Sequence, residues 1–143
     1  MKTIDAITQE IVAEFDQFDS VDEKYIHLFT LGDSLLPMDA SLKSEATRVK
    51  GCQSDLWFSL SLEDGRFHLQ ADSDSTVIKA IAALLVRVVE HCPPEEIQDL
   101  TLAFIDELEI WKLASERNNG LVAMLEHLKG QAANLLAKEE NHG

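Results

Sequence analysis

The sequence predicts an α+β fold: a small antiparallel three-stranded sheet covered by helices, with residues 1–143 forming a single domain. Three observations predict it. Leu56, Phe58, Leu60 and Leu62 alternate with Asp55, Trp57, Ser59 and Ser61, the period-two pattern of a strand with one buried face. After Asp64-Gly65, a pair suited to a tight hairpin turn, Phe67, Leu69 and Ala71 alternate again with Arg66, His68 and Gln70. The segments on either side carry apolar residues at helical spacing, and 143 residues at 45% hydrophobic content suffice for one core without disulfides or metals.

Each element has its own signal. Ile4, Ile7, Ile11, Val12, Phe15 and Phe18 recur at helical spacing and predict an amphipathic N-terminal helix. Ser20 with Glu23 reads as a capping box for a second helix carrying Tyr25, Ile26, Leu28 and Phe29, with a stop expected near Gly32. Residues 37–46 read as a polar connection. Thr47 to Lys50 contains Val49 and is expected to pair as a third strand, which leaves Gly51 to Ser54 as the connection and sets Cys52 at a sheet end. Beyond the hairpin, Asp74 or Ser75 can cap a helix from Thr76 to about His91, apolar on most sides and therefore a core helix. Pro93-Pro94 ends it, and Pro94-Glu95-Glu96 makes a good first turn for a short helix, because proline needs no donor there and acids suit the positive end. A further helix is expected from about Phe104 to Leu113, and a last one from about Glu116 to Ala137. That last helix places Leu121, Met124, Leu125, Leu128, Ala132, Leu135 and Leu136 on one stripe, and residues 138–143 are expected to fray.

Charge narrows the function classes. Twelve Lys and Arg against 26 Asp and Glu give a net charge of −14, a field that repels phosphate backbones and anionic lipid heads, so neither nucleic acid nor membrane is an expected partner. The longest apolar run, Ala80 to Val86, is too short to span a bilayer, and no secretion or transit signal is read at the N-terminus. A cytoplasmic protein with two reduced cysteines is expected.

The run Val49-Lys50-Gly51-Cys52-Gln53-Ser54-Asp55-Leu56-Trp57 concentrates the chemistry. Cysteine alone is most often a small buried hydrophobe. Here it follows a glycine that permits a tight backbone path, with Lys50 and Arg48 placing positive charge nearby in sequence. This run resembles the signature of the SufE family of cysteine desulfuration proteins, including the closely similar CsdE branch. Three further blocks agree in order and spacing: Glu23-Lys24-Tyr25 leading to Leu31-Gly32, Leu69-Gln70-Ala71-Asp72-Ser73-Asp74 with Lys79, and Arg117-Asn118-Asn119-Gly120-Leu121 with Met124. The resemblance departs at Thr47, where the family usually has Asn, and at Ser115, where proline is common.

The resemblance implies a SufE/IscU-like fold and a sulfur acceptor. Cys52 would take persulfide sulfur from a cysteine desulfurase, a pyridoxal-phosphate enzyme, stimulate that enzyme and relay the sulfur toward iron-sulfur cluster assembly, with a scaffold complex as a possible recipient. The chain would then hold a covalent persulfide intermediate while acting as partner and activator, not as a free-standing enzyme. The chemistry asks for a thiol: a soft thiolate attacks the electrophilic outer sulfur and can later leave, which serine or histidine cannot do. Gln53 and Ser54 are read as orienting the loop through backbone hydrogen bonds. The resemblance also implies that the cysteine loop is sheltered, with Leu42, Val49, Trp57 and the last helix as candidate walls.

Other residues keep two readings. Asp74 reads first as a helix cap and second as a partner contact. Arg117 is either solvated or paired with Asp72 or Asp74, and the resemblance gives it a role near the cysteine loop or the desulfurase surface. Cys92, at a helix end before Pro93, reads as structural. The five histidines form no metal-ligand pattern, neither cysteine has zinc or cluster spacing, and neither cofactor nor metal is expected. Competing functions are an acceptor serving a different desulfurase and other sulfur pathways, a cysteine-nucleophile hydrolase or thiol oxidoreductase, and a non-catalytic acidic adapter with Cys52 structural.

Overall fold

A computed structural model describes residues 1–51, 55–110 and 118–142. The helices are α1 (Ile4–Asp16), α2 (Val21–Asp33), α3 (Thr76–His91), α4 (Ala103–Glu107) and α5 (Asn118–His142), with 3-10 turns at Ala40–Leu42 and Pro94–Asp99; the strands are β1 (Leu56–Glu63) and β2 (Arg66–Ser73). The architecture is α+β, as the sequence predicts.

The strands form the expected hairpin, in register from Leu56 opposite Ser73 to Glu63 opposite Arg66. Asp64 and Gly65, at φ 53° and 75°, make a turn whose twist matches that of the flanking strands. Phe58, Phe67, Leu69 and Ala71 face the core, while Trp57, Ser59, Gln70 and Asp72 lie on the outer face. α3 crosses the inner face of β2 and packs along α2 on its other side, burying Ile78, Ile81, Leu84, Leu85, Val88 and Val89. α5 closes the β1 side with Leu121, Met124, Leu128 and Ala132 buried, and α1 packs on α3 and α4.

Caps follow the sequence signals. The Ser20 hydroxyl accepts from the Glu23 amide at 3.2 Å, while the Glu23 carboxylate reaches back to the Asp19 amide at 3.0 Å. α2 stops near Gly32, as expected, one residue on at Asp33. Gly32 is also where α2 and α3 touch: a Cβ there would lie 2.8 Å from the Ala80 Cα.

Four expectations need correction. The sheet has two strands, not three. The Thr47–Lys50 segment meets β1 through a single bridge, Arg48 to Trp57, with the Val49 amide donating to the Leu56 carbonyl and the Phe58 amide to the Thr47 carbonyl, both at 2.8 Å. It cannot run on as a strand. Thr47 is tied into a turn by its hydroxyl, which donates to the Leu42 carbonyl at 2.7 Å, and Gly51 turns away at φ 91°. The helix expected from Phe104 is only Ala103–Glu107, because Glu109 adopts φ 62° and breaks it; Trp111 to Leu113 lie outside the described residues. The last helix does not fray at Lys138 but runs to His142, since Lys138, Glu139 and Glu140 favour helix and no breaker precedes Gly143. Its expected start at Glu116 lies outside the described residues. Finally, the cap of α3 is Ser75, whose hydroxyl accepts from the Ile78 amide at 3.3 Å, and not Asp74.

Candidate functional site

Cys52, Gln53, Ser54 and Arg117 lie outside the described residues. The residues flanking the first three are held from both sides. Upstream, Val49 is buried in the core and its amide bonds across to Leu56. The Thr47 hydroxyl accepts from the Ser44 amide at 3.0 Å besides donating to Leu42, which closes the turn that leads into Val49. Gly51 then adopts a positive φ of 91°, and a Cβ added to it would stand 3.3 Å from the Ala123 Cβ of α5. Both observations ask for glycine immediately before the cysteine: left-handed backbone disfavours side chains, and α5 leaves little room.

Downstream, Asp55 is clamped. Its amide donates to the Asp74 carboxylate at 3.0 Å, and its carbonyl accepts from the Asp74 amide at 3.2 Å and the Ser73 hydroxyl at 2.6 Å. Its carboxylate pairs with Arg48 at 2.9 Å. Asp74 thus works as a cross-link between the loop's exit and the end of β2. That role was invisible in the sequence, where Asp74 and Asp55 are 19 residues apart.

The remaining predicted residues divide between core and surface. Trp57 is half-buried on the outer sheet face, not in the core, with the Lys43 ammonium 4.7 Å from its ring centroid. Lys43 also pairs with Asp72 at 2.9 Å, and Lys79 approaches the same carboxylate at 3.9 Å. Burial pushes the Asp72 pKa up, but the bonds from Lys43 and the Ser73 amide and the nearby Lys79 charge more than offset it, and the net shift is downward. Asp72 and Asp74, the two partners expected for Arg117, therefore already hold other groups.

Between α5 and the segment before Gly51 lies an open recess of about 480 Å³, lined by Glu45, Arg48, Lys50, Ala123, Glu126 and His127. Lys50 and Arg48 are exposed there, Arg48 paired with Asp55, and Glu45 and Glu126 line the same recess. His127 is half-buried with its ring edge-on to Phe58 at a centroid distance of 6.4 Å. Its place three residues from Met124, on the flank of the α5 stripe, was the available signal. Among the described residues no three His, Cys, Asp or Glu side chains converge as metal ligands.

Cys92 occupies contrasting ground. It is 1% exposed, and its Sγ faces the Val89 carbonyl at 3.9 Å. Burial first, and the charges of Glu96 and Glu95 second, push the thiol up to about 11, so it stays protonated and inert, in keeping with a structural role.

Comparison with known proteins bears on family and fold. Residues 9–132 match the family model described as SufE, Fe-S metabolism associated domain. The chain is 36% identical over 134 residues to a SufE-like protein 1, chloroplastic/mitochondrial, of Arabidopsis thaliana; the match covers 92% of this chain but only 36% of that relative's length. It is 32% identical over 124 residues to an uncharacterized SufE-like protein of Synechocystis, covering 86% of this chain and 78% of that one. In fold it resembles the solution structure of a hypothetical protein from Thermus thermophilus, with a TM-score of 0.76 at 20% identity over 92% of this chain and 96% of the other. The described residues contain no helix long and apolar enough to cross a membrane. The family domain covers the hairpin, the Gly51 turn and α5 as far as Ala132, and the chain belongs to the SufE family, whose domain is associated with iron-sulfur metabolism.

Proposed function

We propose that Cys52 accepts sulfane sulfur from the persulfide of a pyridoxal-phosphate cysteine desulfurase, that docking of this chain stimulates the desulfurase, and that the sulfur is relayed toward iron-sulfur assembly in the cytoplasm. The observation that carries the reading is the Gly51 turn: a positive-φ glycine set against Ala123 one residue before the cysteine, inside a family match that spans the motif. The setting supports the chemistry. Firm anchors at Val49 and Asp55 fix where the chain leaves and rejoins the fold on either side of Cys52. In the proposed step the Cys52 thiolate attacks the outer sulfur of the donor persulfide, the donor's own sulfur leaves as thiolate, and repetition of the exchange on a recipient thiol releases the sulfur. Gln53 and Ser54 are assigned to orienting that loop, Arg117 to the partner-facing side, and Asp74 to holding the loop's exit.

The experiment is intact-mass analysis after incubation with a cysteine desulfurase and cysteine. Wild type should gain the mass of one sulfur and raise desulfurase turnover, and Cys52→Ser should do neither. Equal gains in both proteins would refute the assignment.

A further inference from the structure

A second recess lies at the other end of the hairpin from the Gly51 turn. It is open, holds about 350 Å³, and is lined by Lys2, Ile7, Glu10, Arg66, Arg87 and His91. β2 has 8 residues, so Arg66 stands about 23 Å along the strand from Ser73, beside the Asp64-Gly65 turn. Three of the chain's 12 Lys and Arg meet here in a molecule with 26 acids, which makes the recess a local reversal of the −14 field. Physiological salt limits the reach of an exposed charge to about 8 Å. A small anion in the recess therefore responds to these cations, whereas an extended polyanion also meets the acids around them.

Each cation is held in place by the fold itself. Arg66 Nη2 donates to the Glu90 carbonyl at 3.1 Å, and Arg87 Nη1 donates to the Glu14 carboxylate at 2.9 Å. The Lys2 amide donates to the His91 carbonyl at 2.9 Å, and its ammonium donates to the Glu10 carboxylate at 2.6 Å. A guanidinium carries several N–H donors, and each of these arginine contacts engages a single nitrogen. Glu10 shows what an anion experiences in this place. The Lys2 bond lowers its pKa most, a slight loss of solvent opposes that, and the charges of Lys2, Arg87 and His91 lower it further. Cations from the N-terminal segment and from α3 thus act together on one carboxylate.

We propose that this recess binds a phosphate dianion, either free or as the phosphate of a small monoester. The lining sets three fixed cations against one carboxylate, Glu10, with Glu14 behind Arg87 and shared with His27. Each guanidinium presents parallel N–H groups that match two oxygens of a phosphate. A doubly charged group suits two such guanidiniums, whereas a carboxylate suits one. Buried Ile7 supplies an apolar wall for the organic part of a monoester. Bound there, the anion would join α1, β2 and α3 at the end of the sheet remote from Gly51.

The test titrates inorganic phosphate and glycerol phosphate into the full chain at a pH where both are doubly charged, with sodium chloride at matched ionic strength as the reference. Backbone and side-chain signals of Lys2, Arg66, Arg87 and His91 are followed by NMR. Saturable shifts at these residues with either phosphate support the site, and the tighter of the two names the source. Arg66→Gln should weaken binding about 10- to 100-fold, the scale of losing a hydrogen-bonding group that carries charge. Glu10→Gln should instead tighten it several-fold, because a competing internal anion is gone. Opposite signs at two exposed positions separate an anion site from a general effect of substitution on the fold. Shifts reproduced by chloride alone, acetate binding as tightly as phosphate, or an Arg66→Gln affinity within about two-fold of wild type against that expected loss, would each overturn the proposal.

Discussion

The corner around Cys92 and the turn at Gly51 give the same side chain opposite prospects. At Cys92 the fold encloses the thiol at the end of α3, and Glu95 and Glu96 add negative charge that opposes a thiolate. At Gly51 the backbone is exposed, Arg48 and Lys50 stand in the open, and the recess against α5 leaves room for an incoming group. Burial and neighbouring acids hold the Cys92 thiol protonated, whereas the backbone at Gly51 is open to an incoming group.

The contrast breaks most directly by exchange of serine for each cysteine. Cys52→Ser should abolish sulfur acceptance, whereas Cys92→Ser should keep it at the wild-type rate in the same mass assay. The next largest effect is expected at the turn. Gly51→Val forces a β-branched residue into left-handed backbone and against Ala123. It should cost about 1–2 kcal/mol in a denaturant melt and slow sulfur transfer several-fold, while Gly130→Ala, at an open helical site, should do neither.

A third test uses pH. The Cys92 pKa is raised in the folded state to about 11, above the unfolded thiol's value of about 8.5. Its contribution to stability is therefore complete below the unfolded value and is lost as pH rises toward the folded one. Alkaline melts of wild type should show this loss, and Cys92→Ala should flatten that part of the curve. The smallest effect is expected from Asp74→Ala, which removes the clamp on Asp55. Hydrogen exchange at the Asp55 amide should quicken while amides in the middle of α3 keep their protection; unchanged exchange at Asp55 would mean that the clamp does not govern the loop's exit.

Much of this was legible in the residues. Strict alternation around Asp64-Gly65 defined the hairpin, because a one-residue slip would expose its whole apolar face. The apolar run from Thr76 to His91, bounded by Ser75 and Pro93, defined α3. What stayed hidden depends on contacts distant in sequence. Val49 reads as strand, yet the Thr47 hydroxyl curls the chain before a ladder can form. Asp74 reads as a cap, yet its carboxylate reaches across the sheet end while Ser75 caps the helix. His27 looks like a surface histidine, but it lies 2.8 Å from Glu14 and against Phe15 and Phe18, joining α2 to α1. His127 sits on the border of the α5 stripe, where its ring meets Phe58 of β1 edge-on.

The central claim is that one thiol, the one after Gly51, takes the sulfur. Peptide mapping after a single turnover with a cysteine desulfurase measures this directly, because both cysteines compete within one molecule. The account predicts the added sulfur on the peptide containing Cys52 and none on the peptide containing Cys92; sulfur on the Cys92 peptide, or divided equally between the two, would contradict it.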